Sequence, residues 1–297
     1  MTRILLTGKN GQVGWELQRT LATLGEVIAL DRHGLDLADP DLIRRVVREH
    51  KPNLIVNAAA YTAVDKAEEE SDRAMAINGT APGVLAEEAR RLNAAVIHYS
   101  TDYVFDGNKN GPYTEDDAPN PLNVYGRTKL AGEQAIQSVG APHLIFRTSW
   151  VYGTRGKNFL LTILRLAKER DELRIVNDQI GAPTWSRMIA EATAQVVAQL
   201  SLQQGKSWAE DVSGVYHLTA MGQTSWFGFA KAILNYIPGA AAHAPRLTPI
   251  TTQEYPTPAQ RPKSSVLSNT ILRQKFGLEL PGWETGLRLS VEDSIIK

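Results

Sequence analysis

The sequence predicts an α/β protein: a doubly wound parallel sheet followed by a smaller C-terminal α/β lobe. Three observations carry this. Short apolar runs alternate with longer amphipathic stretches through the first half of the chain. Each run is apolar throughout rather than at every second residue, as strands covered on both faces require. A glycine-spaced segment joins the first run to the first amphipathic stretch. Right-handed crossovers turn such a pattern into a sheet with helices on both faces, and its ligand crevice lies at the carboxyl ends of the strands.

The predicted strands of the first half are Ile4–Thr7, Val27–Asp31, Leu54–Ala58, Ala95–Ser100 and Leu144–Thr148. Helical patterns between them cover Val13–Leu24, Asp41–Glu49, Asp72–Leu92 and Val124–Ser138. The second half is less regular. Asn158–Glu169, Thr184–Leu200, Trp226–Tyr236 and Trp283–Ile295 read as helices, and Leu173–Val176 and Val215–Leu218 as short strands. The stretch from Pro238 to Pro262, rich in Pro, Ala and Thr, reads as loops and edge structure. We expect a nucleotide-binding lobe over residues 1–150 and a substrate lobe over 151–297, with a soft boundary because later strands can return to the first sheet.

Composition narrows the function classes. The chain has 297 residues, 43% of them hydrophobic and 22% charged, which suits a globular protein with a sizeable core. It has no cysteine, which removes disulfides, thiolate nucleophiles and thiolate metal sites. Lys+Arg and Asp+Glu balance at 32 each, without the basic excess that usually neutralises nucleic-acid phosphates. No apolar run approaches the ~20 residues that span a bilayer, and Met1-Thr2-Arg3 leads straight into the first strand without a leader pattern. The expected protein is therefore soluble and cytoplasmic, with neither nucleic acid nor membrane as a partner.

Gly8-Lys9-Asn10-Gly11-Gln12-Val13-Gly14 follows the first strand and opens a helix. Glycines there permit a tight turn and let a pyrophosphate approach the backbone, and the helix N-terminus points N–H groups at the anion. The second strand ends at Asp31, whose carboxylate can accept from an adenosine ribose, while Arg32 can hold a 2′-phosphate instead. The acid favours NADH and the base favours NADPH, so both stay open.

Tyr125 and Lys129 lie four residues apart in a helical stretch and so share a face. A nearby ammonium is expected to lower the phenol pKa from its usual ~10, so that Tyr125 can exchange a proton with a substrate oxygen. Lys129 would also hold a cofactor hydroxyl. The fourth strand ends in His98-Tyr99-Ser100-Thr101-Asp102, which puts the Thr101 hydroxyl where it can bond the same oxygen. His98, on an apolar strand, reads as a core residue.

In this order the glycine turn, Asn57-Ala58-Ala59-Ala60, Asn78, Thr101 and Tyr125-x-x-x-Lys129 resemble the extended short-chain dehydrogenase/reductase superfamily, whose sheet is of Rossmann type. Within it the chain is most similar to the dTDP-4-dehydrorhamnose reductases. The strings are Gly8 to Leu17, Tyr99-Ser100-Thr101-Asp102-Tyr103-Val104-Phe105, Arg147-Thr148-Ser149-Trp150-Val151-Tyr152, Asn177-Asp178-Gln179-Ile180-Gly181-Ala182-Pro183-Thr184 and Arg261-Pro262-x-x-Ser265-x-Leu267. They run almost the whole length of the chain.

The resemblance implies reduction, by NADPH or NADH, of the C4 ketone of dTDP-4-dehydro-6-deoxy-L-mannose, the last step of dTDP-L-rhamnose synthesis. Thr101, Tyr125 and Lys129 would be catalytic. Gly8, Asn10, Gly11, Gln12, Val13, Asp31, Arg32, Asp36, Leu37, Ala58, Ala59, Ala60, Tyr125 and Lys129 would hold the cofactor. Thr101, Asp102, Tyr103, Trp150, Asn158, the Gln179–Thr184 loop and Arg261 would meet the nucleotide sugar, Arg261 at its diphosphate. The related dehydratases carry Asp-Glu after the threonine, and Asp102-Tyr103 lacks that second carboxylate. Some reductases of the family are described as dimers bridged by Mg²⁺, with one acidic ligand on the first helix. Glu16 matches that position, but Arg187, on the helix where its partner would be wanted, would repel a cation, and Glu191 does not restore the spacing. No metal site is expected, and the protein would act as a monomer or homodimer.

Other features read more plainly. Glu68-Glu69-Glu70 is a solvated helix start, Trp226, Phe227 and Phe229 pack a core, and Leu164–Arg170 is a charged helical face. Trp283 either packs the last helix or covers the substrate. The same triad serves epimerases and reductases of other nucleotide sugars. The family resemblance extends as well to non-catalytic regulatory subunits of methionine adenosyltransferase.

Overall fold

The computed structural model describes residues 2–201, 212–236 and 245–295. The chain opens with β1 (Arg3–Thr7), α1 (Gln12–Thr20), β2 (Glu26–Leu30), α2 (Pro40–His50) and β3 (Leu54–Asn57). Three helical pieces follow, α3 (Val64–Ala67), α4 (Ser71–Met75) and α5 (Ala81–Arg91), then β4 (Ala95–Thr101), α6 (Val124–Val139) and β5 (His143–Thr148). The later elements are β6 (Val151–Tyr152), α7 (Phe159–Glu169), β7 (Glu172–Val176), β8 (Ile180–Gly181), β9 (Thr184–Trp185), α8 (Ser186–Ser201), β10 (Gly214–His217), β11 (Thr224–Ser225), α9 (Trp226–Asn235), β12 (Arg246–Ile250), α10 (Thr270–Phe276) and α11 (Trp283–Ile295).

Six strands form one parallel sheet in the order β10-β5-β4-β3-β1-β2. From β1 the chain winds outward to β2, then crosses back to β3, so the strand order reverses between β1 and β3, where a ligand crevice opens. One face packs Leu5, Ile55, Val96 and Ile145 under α2, α5 and α6. The other packs Ile4, Leu6, Val56, Ile97, Leu144 and Phe146 under α1, α8 and α10. Alternate residues of each strand therefore serve opposite layers, which is why the strands read as unbroken apolar runs.

The first sheet does not end with the first half of the sequence. β10 adds to its edge beside β5, and α8 closes the core over α1 with Ile189, Val196 and Val197. The remaining elements build a second core around Tyr152, Trp185, Phe229, Trp283 and Leu287, with three two-stranded sheets, β12-β7, β6-β9 and β11-β8. Trp283 is buried there, its ring perpendicular to Phe229, so it packs the last helix. In the Pro238–Pro262 stretch, β12 and a 3₁₀ turn at Thr252–Glu254 are formed, while residues 238–244 lie outside the described residues.

The helix expected over Asp72–Leu92 forms as one continuous helical run from Ser71 to Arg91 with a single irregular turn. A π turn at Ala76–Thr80 separates α4 from α5. Pro82 has no N–H for the carbonyl of Asn78, which breaks the helical ladder there. The freed carbonyl faces Gly132 of α6, where a Cβ would come within 2.1 Å of it. Among the described residues no helix is long and apolar enough to cross a membrane.

Candidate active site

The carboxyl edge of the sheet carries the glycine turn. Gly8 sits at φ +73°, and Gly11 N–H donates to its carbonyl at 2.9 Å. A Cβ on Gly14 would lie 2.1 Å from that carbonyl, and one on Gly8 would lie 2.8 Å from the Ala59 nitrogen. The glycines thus bring the first turn of α1 against Ala58 and Ala59. No side chain caps that turn, so its N–H groups face the crevice. Val13 packs against the core under α1.

Beyond β2, Asp31 Oδ1 accepts from the backbone N–H groups of His33 and Gly34, and Oδ2 is reached by Asn10 at 3.2 Å and Lys9 at 3.4 Å. The Gly34 N–H is the strongest of the contacts that hold this carboxyl below its usual range. Arg32 is exposed and pairs with Asp36 at 3.2 Å. Leu37 does not face the crevice: with Leu35 it is buried under the sheet.

α6 is fixed at its start from three sides. Asn123 caps it, accepting from Gly126 N–H at 2.8 Å and donating to the Gln260 carbonyl at 2.8 Å. Glu68 accepts from Val124 N–H at 2.8 Å, so the acidic run is no solvated helix start but part of this cap; Glu70 in turn accepts from the Tyr61 phenol at 2.9 Å. Gly126 lets α6 approach Tyr103, whose carbonyl a Cβ would meet at 2.2 Å. From the π turn, Asn78 clamps both the Tyr61 backbone and the Thr128 hydroxyl. It thereby ties the end of the Ala58–Ala60 segment to the helix that bears Tyr125 and Lys129.

The structure brings Thr101, Tyr103, Tyr125 and Arg261 together. The Thr101 hydroxyl stands beside the Tyr125 phenol and favours its anion, yet burial dominates and Asp102 adds to it, pushing the phenol up to about 12. Tyr103 meets the Tyr125 ring edge-on, with centroids 5.9 Å apart. Lys129 does not act as expected on the phenol. Its buried Nζ donates to the Tyr99 carbonyl at 2.6 Å and meets His98 Nε2 at 3.1 Å. Burial draws Lys129 down to about 8, against the Glu133 carboxylate, which favours the cation. Sharing a helical face did not make the two head groups partners, because the carbonyl edge of β4 offers the lysine a better seat.

Three expected contacts with the nucleotide sugar are otherwise engaged. Asp102 is buried and turned inward, accepting from Thr101 at 3.1 Å and Ser149 at 3.0 Å; burial raises it to about 6, while its bonds from Ser265, Ser149 and Thr101 favour the anion. It positions Thr101 from behind. Asn158 caps α7 and donates to Gln12 and to the Gly153 and Arg155 carbonyls, a clasp between the glycine turn and the second lobe. Arg261 pairs with Asp65 at 2.8 Å, donates to Thr257 and Ala259, and also bonds the Tyr103 phenol.

The far wall is aromatic. Trp150 takes φ +46°, rare for a bulky residue, and stacks on Trp226 with centroids 3.5 Å apart and planes 3° from parallel. Gly181 packs against its ring, and Gln179 accepts from the Trp226 indole at 3.2 Å. Trp226 therefore belongs to this wall as well as to the second core, whereas Phe229 is wholly buried. Glu16 is taken by Arg187 at 3.4 Å, so a bridging cation would compete with a guanidinium already in place. These residues do not fit a Mg²⁺ site.

Sequence reasoning placed His98 in the core without its partners. The available signal was a polar residue in each of three adjacent apolar strands, Thr7 and Asn57 at the carboxyl ends of β1 and β3 and His98 midway along β4.

Residues 1–295 match the family model described as the RmlD substrate binding domain. A dTDP-4-dehydrorhamnose reductase of Burkholderia thailandensis is 52% identical over 295 residues, covering 98% of each chain. The Escherichia coli K12 enzyme of that name is 49% identical over 291 residues, covering 96% of this chain and 95% of its own. The crystal structure of a dTDP-4-dehydrorhamnose reductase from Bacillus anthracis, in complex with NADP, superposes with a TM-score of 0.89 at 36% identity, over 98% of this chain and 99% of that one.

Proposed function

This chain belongs to the dTDP-4-dehydrorhamnose reductase family, and from that premise we propose how its residues divide the work. The reaction is NAD(P)H-dependent reduction of the C4 ketone of dTDP-4-dehydro-L-rhamnose to dTDP-L-rhamnose. The observation that supports this division best is a half-buried phenol, protonated at neutral pH, beside a threonine hydroxyl at the crevice edge of the sheet.

Tyr125 gives its proton to the carbonyl oxygen as negative charge gathers there. Bound reduced nicotinamide supplies the hydride to the C4 carbon. Thr101 bonds the same oxygen once its proton turns from Asp102, and Asp102 keeps the threonine in place. Lys129 would hold a cofactor hydroxyl and return a proton to Tyr125 through it, the two head groups not being direct partners. The N–H groups of Gln12 and Val13 would hold the pyrophosphate, with Gly8 and Gly11 shaping the turn that presents them, Ala58–Ala60 would line the cofactor, and Asp31, Arg32 and Asp36 would meet its adenosine end. Trp150 and Tyr103 line the sugar side, with Arg261 near the diphosphate through the donors its present partners leave. The enzyme works in the cytoplasm as a monomer or homodimer.

The cofactor question has a direct test. Removing a guanidinium that holds a 2′-phosphate costs about 1.5–3 kcal/mol, so Arg32→Ala should raise KM for NADPH roughly tenfold and leave KM for NADH nearly unchanged. Equal effects on the two cofactors would remove Arg32 from that role.

A further inference from the structure

His98 stands beside Lys129 and takes no part in the steps above. Thr7, Asn57 and His98 are register partners on β1, β3 and β4, so their side chains rise on one face of the sheet, the face that α6 covers. They form a single row. Ala59 N–H donates to Thr7 Oγ1 at 3.2 Å, Thr7 donates to Asn57 Oδ1 at 2.7 Å, Asn57 Nδ2 meets His98 Nδ1 at 3.0 Å, and His98 Nε2 meets Lys129 Nζ at 3.1 Å. Thr7, Asn57, His98 and Lys129 are each 1% exposed. A buried polar row is costly unless every member is satisfied.

The polarity of the row follows from its first bond. With Asn57 Oδ1 occupied by Thr7, its Nδ2 donates to His98 Nδ1. A neutral imidazole then carries its one proton on Nε2, facing Lys129. Burial and the neighbouring lysine keep the imidazole neutral. An N–H opposite a lysine nitrogen is satisfied by the amine and opposed by the ammonium. The groups that act the other way are Glu133 on α6, itself paired with Arg147 of β5, and the Tyr99 carbonyl; Tyr125 lies one turn away on α6. A proton carrier is most effective when its pKa lies near the working pH.

We propose that His98, with its tautomer set by Asn57, is a positioning residue that seats Lys129 and tunes its charge so that it can pass a proton. This rests on the assignment of Lys129 above. It also links that lysine to Ala59 and the glycine turn, so that the cofactor cradle and the proton carrier share one buried support.

The test follows the Lys129 Nζ titration by NMR in the full chain, alongside the pH profile of kcat. Asn matches the Nδ1 end of the imidazole and leaves the Nε2 end empty, so His98→Asn should raise the Lys129 titration by about one pH unit. It should lower kcat roughly tenfold at neutral pH. Asn57→Asp, which demands the proton on Nδ1, should also raise the titration while preserving shape. His98→Gln, which returns an amide to the Nε2 position, should recover most of the kcat lost in His98→Asn. A Lys129 titration unmoved in both His98→Asn and Asn57→Asp would overturn the proposal. A titration that moves without any change in the kcat profile would support His98 as the tuner and count instead against Lys129 as the proton carrier.

Discussion

Tyr125→Phe should lower kcat by about 10²–10⁴-fold while leaving the cofactor dissociation constant near the native value. The ring and its edge-on contact with Tyr103 remain, so the cradle for the cofactor is unchanged. Only the proton donor is lost. The position of the phenol pKa, pushed up to about 12, matters for the direction of reaction. A phenol that stays protonated is ready to donate to a ketone oxygen, which is what reduction requires, whereas oxidation would need it as a base. Steady-state kinetics with parallel cofactor titration would check this. A variant with native kcat would show that the proton comes from elsewhere.

Breaking the Glu133–Arg147 pair should have the largest effect on stability. Arg147 is 4% exposed and Glu133 is 1% exposed. The guanidinium donates to both carboxylate oxygens, Nε at 3.0 and 3.2 Å and Nη2 at 2.7 Å, while its Cζ lies 5.1 Å from the Phe105 ring centroid. Arg147→Met leaves a buried carboxylate without a cation, which typically costs about 3–5 kcal/mol. Replacing both, as Glu133→Leu with Arg147→Met, removes the orphaned charge and should recover most of that loss. Denaturant unfolding of the two single variants and the double variant gives the cycle. A loss under about 1 kcal/mol in Arg147→Met would contradict the picture of a desolvated pair.

The strands and most helices were legible because burial on both faces forces continuous apolar runs, and Val96, Ile97, Leu144 and Ile145 leave no polar face to misplace the period. The glycine turn was legible for a similar reason: only the absence of Cβ atoms allows Gly8 and Gly14 their contacts. The π turn at Ala76–Thr80 inside the helical run from Ser71 to Arg91 was not read from the sequence, since its cause is the joint action of Pro82 on the ladder and Gly132 on a distant helix. Side-chain commitments were the least visible. Asp102, Asn158 and Arg261 have the chemistry expected of a nucleotide-sugar site. The partners that occupy them, Ser149, Gln12 and Asp65, come from segments far away in sequence. Lys129 illustrates the same limit: helical spacing fixed its face, but the Tyr99 carbonyl and His98 fixed where its nitrogen rests.

The most direct measurement is product formation by the purified chain from dTDP-4-dehydro-6-deoxy-L-mannose and NADPH, with cofactor oxidation followed by absorbance and the product identified by NMR. The expected result is one cofactor oxidised per ketone consumed and dTDP-L-rhamnose as the product, with turnover lowered about 10²–10⁴-fold in Tyr125→Phe. No cofactor oxidation with this ketone, by either nicotinamide, would contradict the account.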